Sequence, residues 1–76
     1  MSGEIVLDAR GLSCPLPVLK ARKRLMAMAP GARLRVLATD SKAPGDFRLW
    51  CAESGHRLVD EGREGEAYIL VVERAG

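Results

Sequence analysis

Two prolines one residue apart, Pro15 and Pro17, constrain this chain more than any other feature, because each lacks an N–H and holds φ near the helical value. Inside a helix such residues fit only in the first turn, where the backbone N–H groups have no intrahelical partner. The helix therefore opens close to Pro15, or only at Pro17, since Pro17 disfavours helical geometry at Leu16. Either start leaves Cys14 within the first turn or immediately outside it. Free N–H groups and the helix dipole favour negative charge there, and a thiol is a nucleophile only as its thiolate. The position thus predicts a Cys14 pKa below the free-cysteine value of about 8.5. Cys14 is the candidate reactive residue, carried on a loop that contains Gly11.

The rest of the chain supplies a scaffold of alternating elements. Ile5-Val6-Leu7 reads as a first strand ending at Asp8, and Val18, Ala21, Leu25 and Met28 recur at helical spacing over 18–29, with Pro30-Gly31 as the stop. Arg33–Thr39 alternates, placing Leu34, Val36 and Ala38 on one face of a second strand. Asp40-Ser41 signals a second helix start, with Pro44 in its first turn, Phe47, Trp50 and Cys51 on one face, and Gly55 at its end. His56–Glu61 and Ala67–Glu73 read as two strands of a hairpin around Gly62-Arg63-Glu64-Gly65, the last strand being central because of Ile69-Leu70-Val71-Val72. The expected fold is an α/β two-layer sandwich of order β-α-β-α-β-β, a mixed four-stranded sheet with both helices on one face. Residues 1–76 are expected to form one domain, too small to enclose a deep active site.

Composition removes several function classes. No segment approaches the ~20 apolar residues of a membrane span, and the N-terminus has no secretion pattern, so a soluble cytoplasmic protein without membrane contact is expected. Two distant cysteines and the single His56 make neither a dithiol redox motif nor a tetrahedral zinc site, so no metal is expected, and the absent secretion signal argues against a Cys14–Cys51 disulfide. Three aromatics and a net charge of +2 argue against direct nucleic-acid binding. Gly62–Gly65 matches the GxxG of KH domains only formally, because that loop joins helices and this one joins strands.

The remaining polar residues divide between surface and site. Lys20, Arg22, Lys23 and Arg24 crowd the first helix, either as a solvated face or as a docking face for acidic partners; Arg22 falls towards the apolar side, its stem along the core edge. Cys51 reads as inert core. Asp8 reads as structural, since a carboxylate near the thiol would raise its pKa, and Asp40 and Asp46 read as helix-start residues. Nothing brings His56 to Cys14 as a base.

Leu7-Asp8-Ala9-Arg10-Gly11-Leu12-Ser13-Cys14-Pro15-Leu16-Pro17 resembles the L-D-x-x-G-L-x-C-P-x-P signature of the TusA/SirA family of small sulfur-carrier proteins. The resemblance continues through Arg22-Lys23, Pro30-Gly31, Asp40, Asp46 and Trp50-Cys51 to Gly76, and departs at Ser41, where many members have an Asp-Pro pair in place of Asp40-Ser41. It implies the same β-α-β-α-β-β fold and a persulfide carried on Cys14, with Gly11, Pro15 and Pro17 shaping the helix mouth. It further implies sulfur received from a cysteine desulfurase or other sulfur donor and passed to a downstream acceptor protein. Family members serve tRNA 2-thiouridine synthesis, sulfur oxidation, molybdenum-cofactor synthesis or selenium metabolism. Such a sulfurtransferase, more carrier than turnover catalyst, needs no cofactor. The alternative is a thiol-based redox-sensing or regulatory module, which would need an intermolecular disulfide or a small-molecule cap on Cys14. A ubiquitin-like carrier is disfavoured, because the chain ends Ala75-Gly76 and predicts one strand before its first helix.

Overall fold

The computed structural model describes residues 4–76. Its elements are β1 (Ile5–Ala9), α1 (Leu16–Met26), β2 (Arg33–Ala38), α2 (Ala43–Ser54), β3 (Arg57–Glu64) and β4 (Ala67–Glu73). The strands form one mixed sheet in the order β1-β2-β4-β3, with β1 parallel to β2 and the other neighbours antiparallel. Two helices on one face complete the expected α/β architecture.

Alternation does its work on β2, where Leu34, Val36 and Ala38 are buried. Opposite Leu34 and Val36 lie Val72 and Leu70 of β4, and these four join Ala21 and Leu25 of α1 and Phe47 and Cys51 of α2 in one apolar core. β4 is central, and five of its residues are buried, which is why its apolar run is continuous rather than alternating. Phe47 is wholly buried; Trp50 sits half-buried at the margin, edge-on to Phe47 with ring centroids 5.8 Å apart. Because so few aromatics fill the core, Phe47→Ala at this position falls in the range of about 3–5 kcal/mol.

Several boundaries differ from the sequence reading, three of them by more than one residue. α1 starts at Leu16 and ends at Met26 rather than running to Ala29, because the chain tightens there: the N–H groups of Ala27 and Met28 donate to the carbonyls of Arg24 and Leu25, three residues back. Met28 still packs into the core. α2 starts at Ala43, with Pro44 in its first turn, and closes at Gly55, whose φ of 86° lets its N–H reach the Cys51 carbonyl. Gly62-Arg63-Glu64 belongs to β3 rather than to the turn, which shrinks to Gly65-Glu66 with Gly65 at φ 62°. Pairing with β4 draws this polar segment into the ladder, with an irregularity between Leu58 and Asp60.

The parallel pairing of β1 and β2 matters most for the site, because both strands end at the same edge of the sheet. The loops that follow them are therefore neighbours. Gly11, at φ 81°, donates its N–H to Thr39 Oγ1 at 2.9 Å across that edge.

Candidate functional site

Cys14 lies just before α1, half-buried, with Pro15 at the N-cap and a cis peptide bond between them. Ser13 turns the chain into the helix, its carbonyl accepting the Leu16 N–H at 2.8 Å. Two acidic residues from the other side of the edge then close on the cysteine. Asp40 accepts the Cys14 N–H at Oδ2 (2.7 Å) and the Lys42 N–H at Oδ1 (2.8 Å), so one carboxylate joins both loops. These backbone bonds hold the Asp40 carboxyl below its usual range. Asp46, in the first turn of α2, accepts a hydrogen bond from the Cys14 thiol, with Sγ 2.7 Å from Oδ2.

This geometry overturns the expected direction of the Cys14 pKa. The hydrogen bond to Asp46 pushes the thiol up, desolvation adds to it, and the charges of Asp46 and Asp40 act in the same sense; Lys42 opposes them weakly. A full negative charge in hydrogen-bond contact outweighs the partial charge of a helix end. Asp40 and Asp46, read from sequence as helix-start residues, are also the polar partners of the cysteine. The hint available in the sequence was their spacing, six residues apart around the start of α2, which places both near one loop edge.

The other candidates fall elsewhere. Asp8 pairs with Arg10, Oδ1 lying 2.8 Å from Nε, and this pairing lowers its pKa to about 2. His56 accepts the Ala75 N–H on Nδ1 and stacks edge-on against Trp50 at 5.5 Å. Cys51 is buried, and desolvation pushes its thiol up to about 11. The basic cluster divides across α1: Lys20, Lys23 and Arg24 line a shallow groove with Leu7, Leu19 and Ala27, whereas Arg22 lines a separate recess with Met26 and Trp50. Among the described residues no ion pair engages Lys20, Lys23 or Arg24, and Leu16 and Leu19 stand exposed on the same helix. No group of three or more His, Cys, Asp or Glu among the described residues is arranged to hold a metal ion, and no helix is long and apolar enough to cross a membrane.

The family described as sulfurtransferase TusA matches residues 5–74. The chain belongs to the TusA family. Its similarity to two of its relatives runs over nearly the whole length of both partners. A candidate sulfur carrier protein of Neisseria meningitidis serogroup A is 49% identical over 67 residues, which is 88% of this chain and 90% of that one. The sulfur carrier protein TusA of Allochromatium vinosum is 39% identical over 69 residues, 91% of each. Among solved structures, a SirA-like protein from Desulfitobacterium hafniense superposes with a TM-score of 0.81 over 93% of this chain and 97% of that one, at 19% identity. That likeness speaks for the TusA-family fold.

Proposed function

We propose that this TusA-family chain is a sulfur carrier whose cargo is a persulfide on Cys14. The observation that carries the reading is the placement of that thiol: half-exposed at a helix mouth, on an edge where two loops meet. A relay site must be reached in turn by the loop of a donor and by the cysteine of an acceptor, and an open lip admits both. In the first step Cys14 Sγ attacks the outer sulfur of the donor's persulfide, and the donor's cysteine leaves with the electron pair of the broken S–S bond. In the second, an acceptor cysteine attacks the same outer sulfur and Cys14 is the leaving group. Neither step calls for a cofactor. A cysteine desulfurase fits the donor role, and the acceptor's cysteine can open onto tRNA thiolation or another sulfur-trafficking route.

Lys20, Lys23 and Arg24 serve in this reading as the docking face. They follow Cys14 along α1, they have no ion-pair partner among the described residues, and the groove they line offers apolar footing at Leu7 and Leu19. Arg22 lines the recess beside Trp50 and belongs to a neighbouring surface.

Incubation with a cysteine desulfurase and cysteine tests the relay. Intact mass is expected to rise by one sulfur atom or more, with the addition mapped to Cys14, lost in Cys14→Ser and retained in Cys51→Ser. A persulfide on Cys51, or undiminished loading of Cys14→Ser, overturns it.

A further inference from the structure

We propose that Asp46 governs the reactive state of Cys14: its carboxylate holds the empty carrier as a thiol, and a sulfur donor releases the nucleophile by bringing a cation of its own against Asp46. The inference rests on the carrier reading above and assigns to one residue the control of its first step.

The charged groups facing Sγ are few. Asp46 approaches from α2 at 2.7 Å, Asp40 from the loop after β2, and Lys42 from just before α2. The first turn of α1 contributes no acidic side chain, and Arg10 on the preceding loop is already engaged by Asp8. Two carboxylates against one ammonium leave the site biased against a further negative charge on sulfur. Lys42 acts more weakly on the thiol than either carboxylate.

The thiol donates to Asp46 Oδ2 at 2.7 Å, and a carboxylate in that contact stabilises the protonated sulfur over the thiolate. The contact is therefore a guard rather than a proton acceptor. It protects a half-exposed cysteine from oxidants and stray electrophiles, which react with thiolates. The same guard has to be lifted before sulfur can be accepted, and the described residues offer no cation hydrogen-bonded to Asp46. A donor that places a guanidinium or ammonium against Oδ2 would neutralise it. The Sγ–H proton then passes to solvent, Sγ bonds to the outer sulfur of the donor persulfide, and the donor's S–S bond breaks onto its own cysteine sulfur, which takes a proton back from solvent. Sulfur, protons and electrons balance between the two cysteines with no outside oxidant or reductant.

Asp46→Asn and Asp46→Glu test this in the intact protein. In the isolated chain, the pH of half-maximal Cys14 alkylation by iodoacetamide is expected to fall by about one unit in Asp46→Asn, and to stay near wild type in Asp46→Glu. At neutral pH the rate gain is smaller than the roughly tenfold gain in thiolate, about threefold, because nucleophilicity falls with pKa along a Brønsted slope of about 0.4–0.5. Slow alkylation of Cys51 in the same sample reports an intact fold; if Asp46→Asn exposes Cys51, Asp46→Ser replaces it. The donor's part is read from a ratio: loading by a cysteine desulfurase divided by loading from glutathione persulfide, which cannot dock. That ratio is expected to drop several-fold in Asp46→Asn. An unchanged alkylation profile, or an unchanged ratio, overturns the proposal. Because alkylation needs no sulfur donor, failure there leaves the carrier reading standing, whereas failure of wild-type loading would remove the carrier reading and leave the guard intact.

Discussion

Asp40 and Cys14, 26 residues apart, are joined by a 2.7 Å hydrogen bond from the cysteine's own backbone N–H, so the loop that carries the thiol is anchored at the thiol itself. The second oxygen of the same carboxylate holds the Lys42 N–H. Removing the carboxylate in Asp40→Ala is expected to free both amides, raising their hydrogen-exchange rates at least tenfold while central-strand amides such as Leu70 stay protected. Since the folded Asp40 carboxyl titrates below its unfolded value, this anchoring is complete above about pH 4 and is lost as pH falls through the depressed value. Equal protection of Cys14 and Lys42 in the variant would contradict the role.

The two cysteines are expected to separate by accessibility as well as by pH. The Cys14 thiol is pushed up by its contact with Asp46 yet is reached directly by reagent, whereas Cys51 combines a pKa of about 11 with burial beside Phe47. Alkylation of the native protein at pH 8 should label Cys14 at least a hundredfold faster, and denaturant should abolish most of the difference. Cys51→Ser should destabilise by about 1–3 kcal/mol, because it puts a hydroxyl in an apolar site. A mild effect of that substitution together with fast native labelling of Cys51 would place it at the surface.

Reversing the three groove cations, as Lys20→Glu, Lys23→Glu and Arg24→Glu together, is expected to slow association with a cysteine desulfurase by about tenfold or more at low salt and to leave the melting curve close to wild type. Raising the salt should slow wild-type association and compress the difference. Arg22→Glu alone, altering the recess on the other side of α1, should slow it less. Stopped-flow binding would measure each case, and identical rates would return the cluster to a solvated face.

Much of this was legible in the residues. Leu34, Val36 and Ala38 announce their face of β2 by alternation, Ala21 and Leu25 announce theirs on α1 by helical spacing, and the apolar run of β4 announces a central strand. Pro15 and Pro17 place Cys14 at a helix mouth, where it is found. What failed was the sign of the thiol's environment. A helix end acts on Cys14 through its immediate neighbours and can be read locally, but the Asp46 contact spans 32 residues and exists only because α2 enters beside the β1 loop. Apart from its spacing from Asp40, Asp46 reads in sequence like any acidic residue in a first helical turn. Gly62 misled for a related reason: its glycine and charged neighbours read as turn chemistry, while the long partner strand decides that they are extended.

The position of β4 sets the order in which this molecule can become functional. β2 and β3 both pair with it and with no other antiparallel neighbour, so until residues 67–73 have been synthesised most of the sheet has nothing to close on. The core shared by α1 and α2 lacks Leu70 and Val72 over the same interval, and α2 has no floor on which to bring Asp46 to the thiol. Docking of β4 between β2 and β3 thus completes at one stroke both the sheet and the floor that holds Asp46 against Cys14, so the chemistry of the thiol depends on a strand more than fifty residues away.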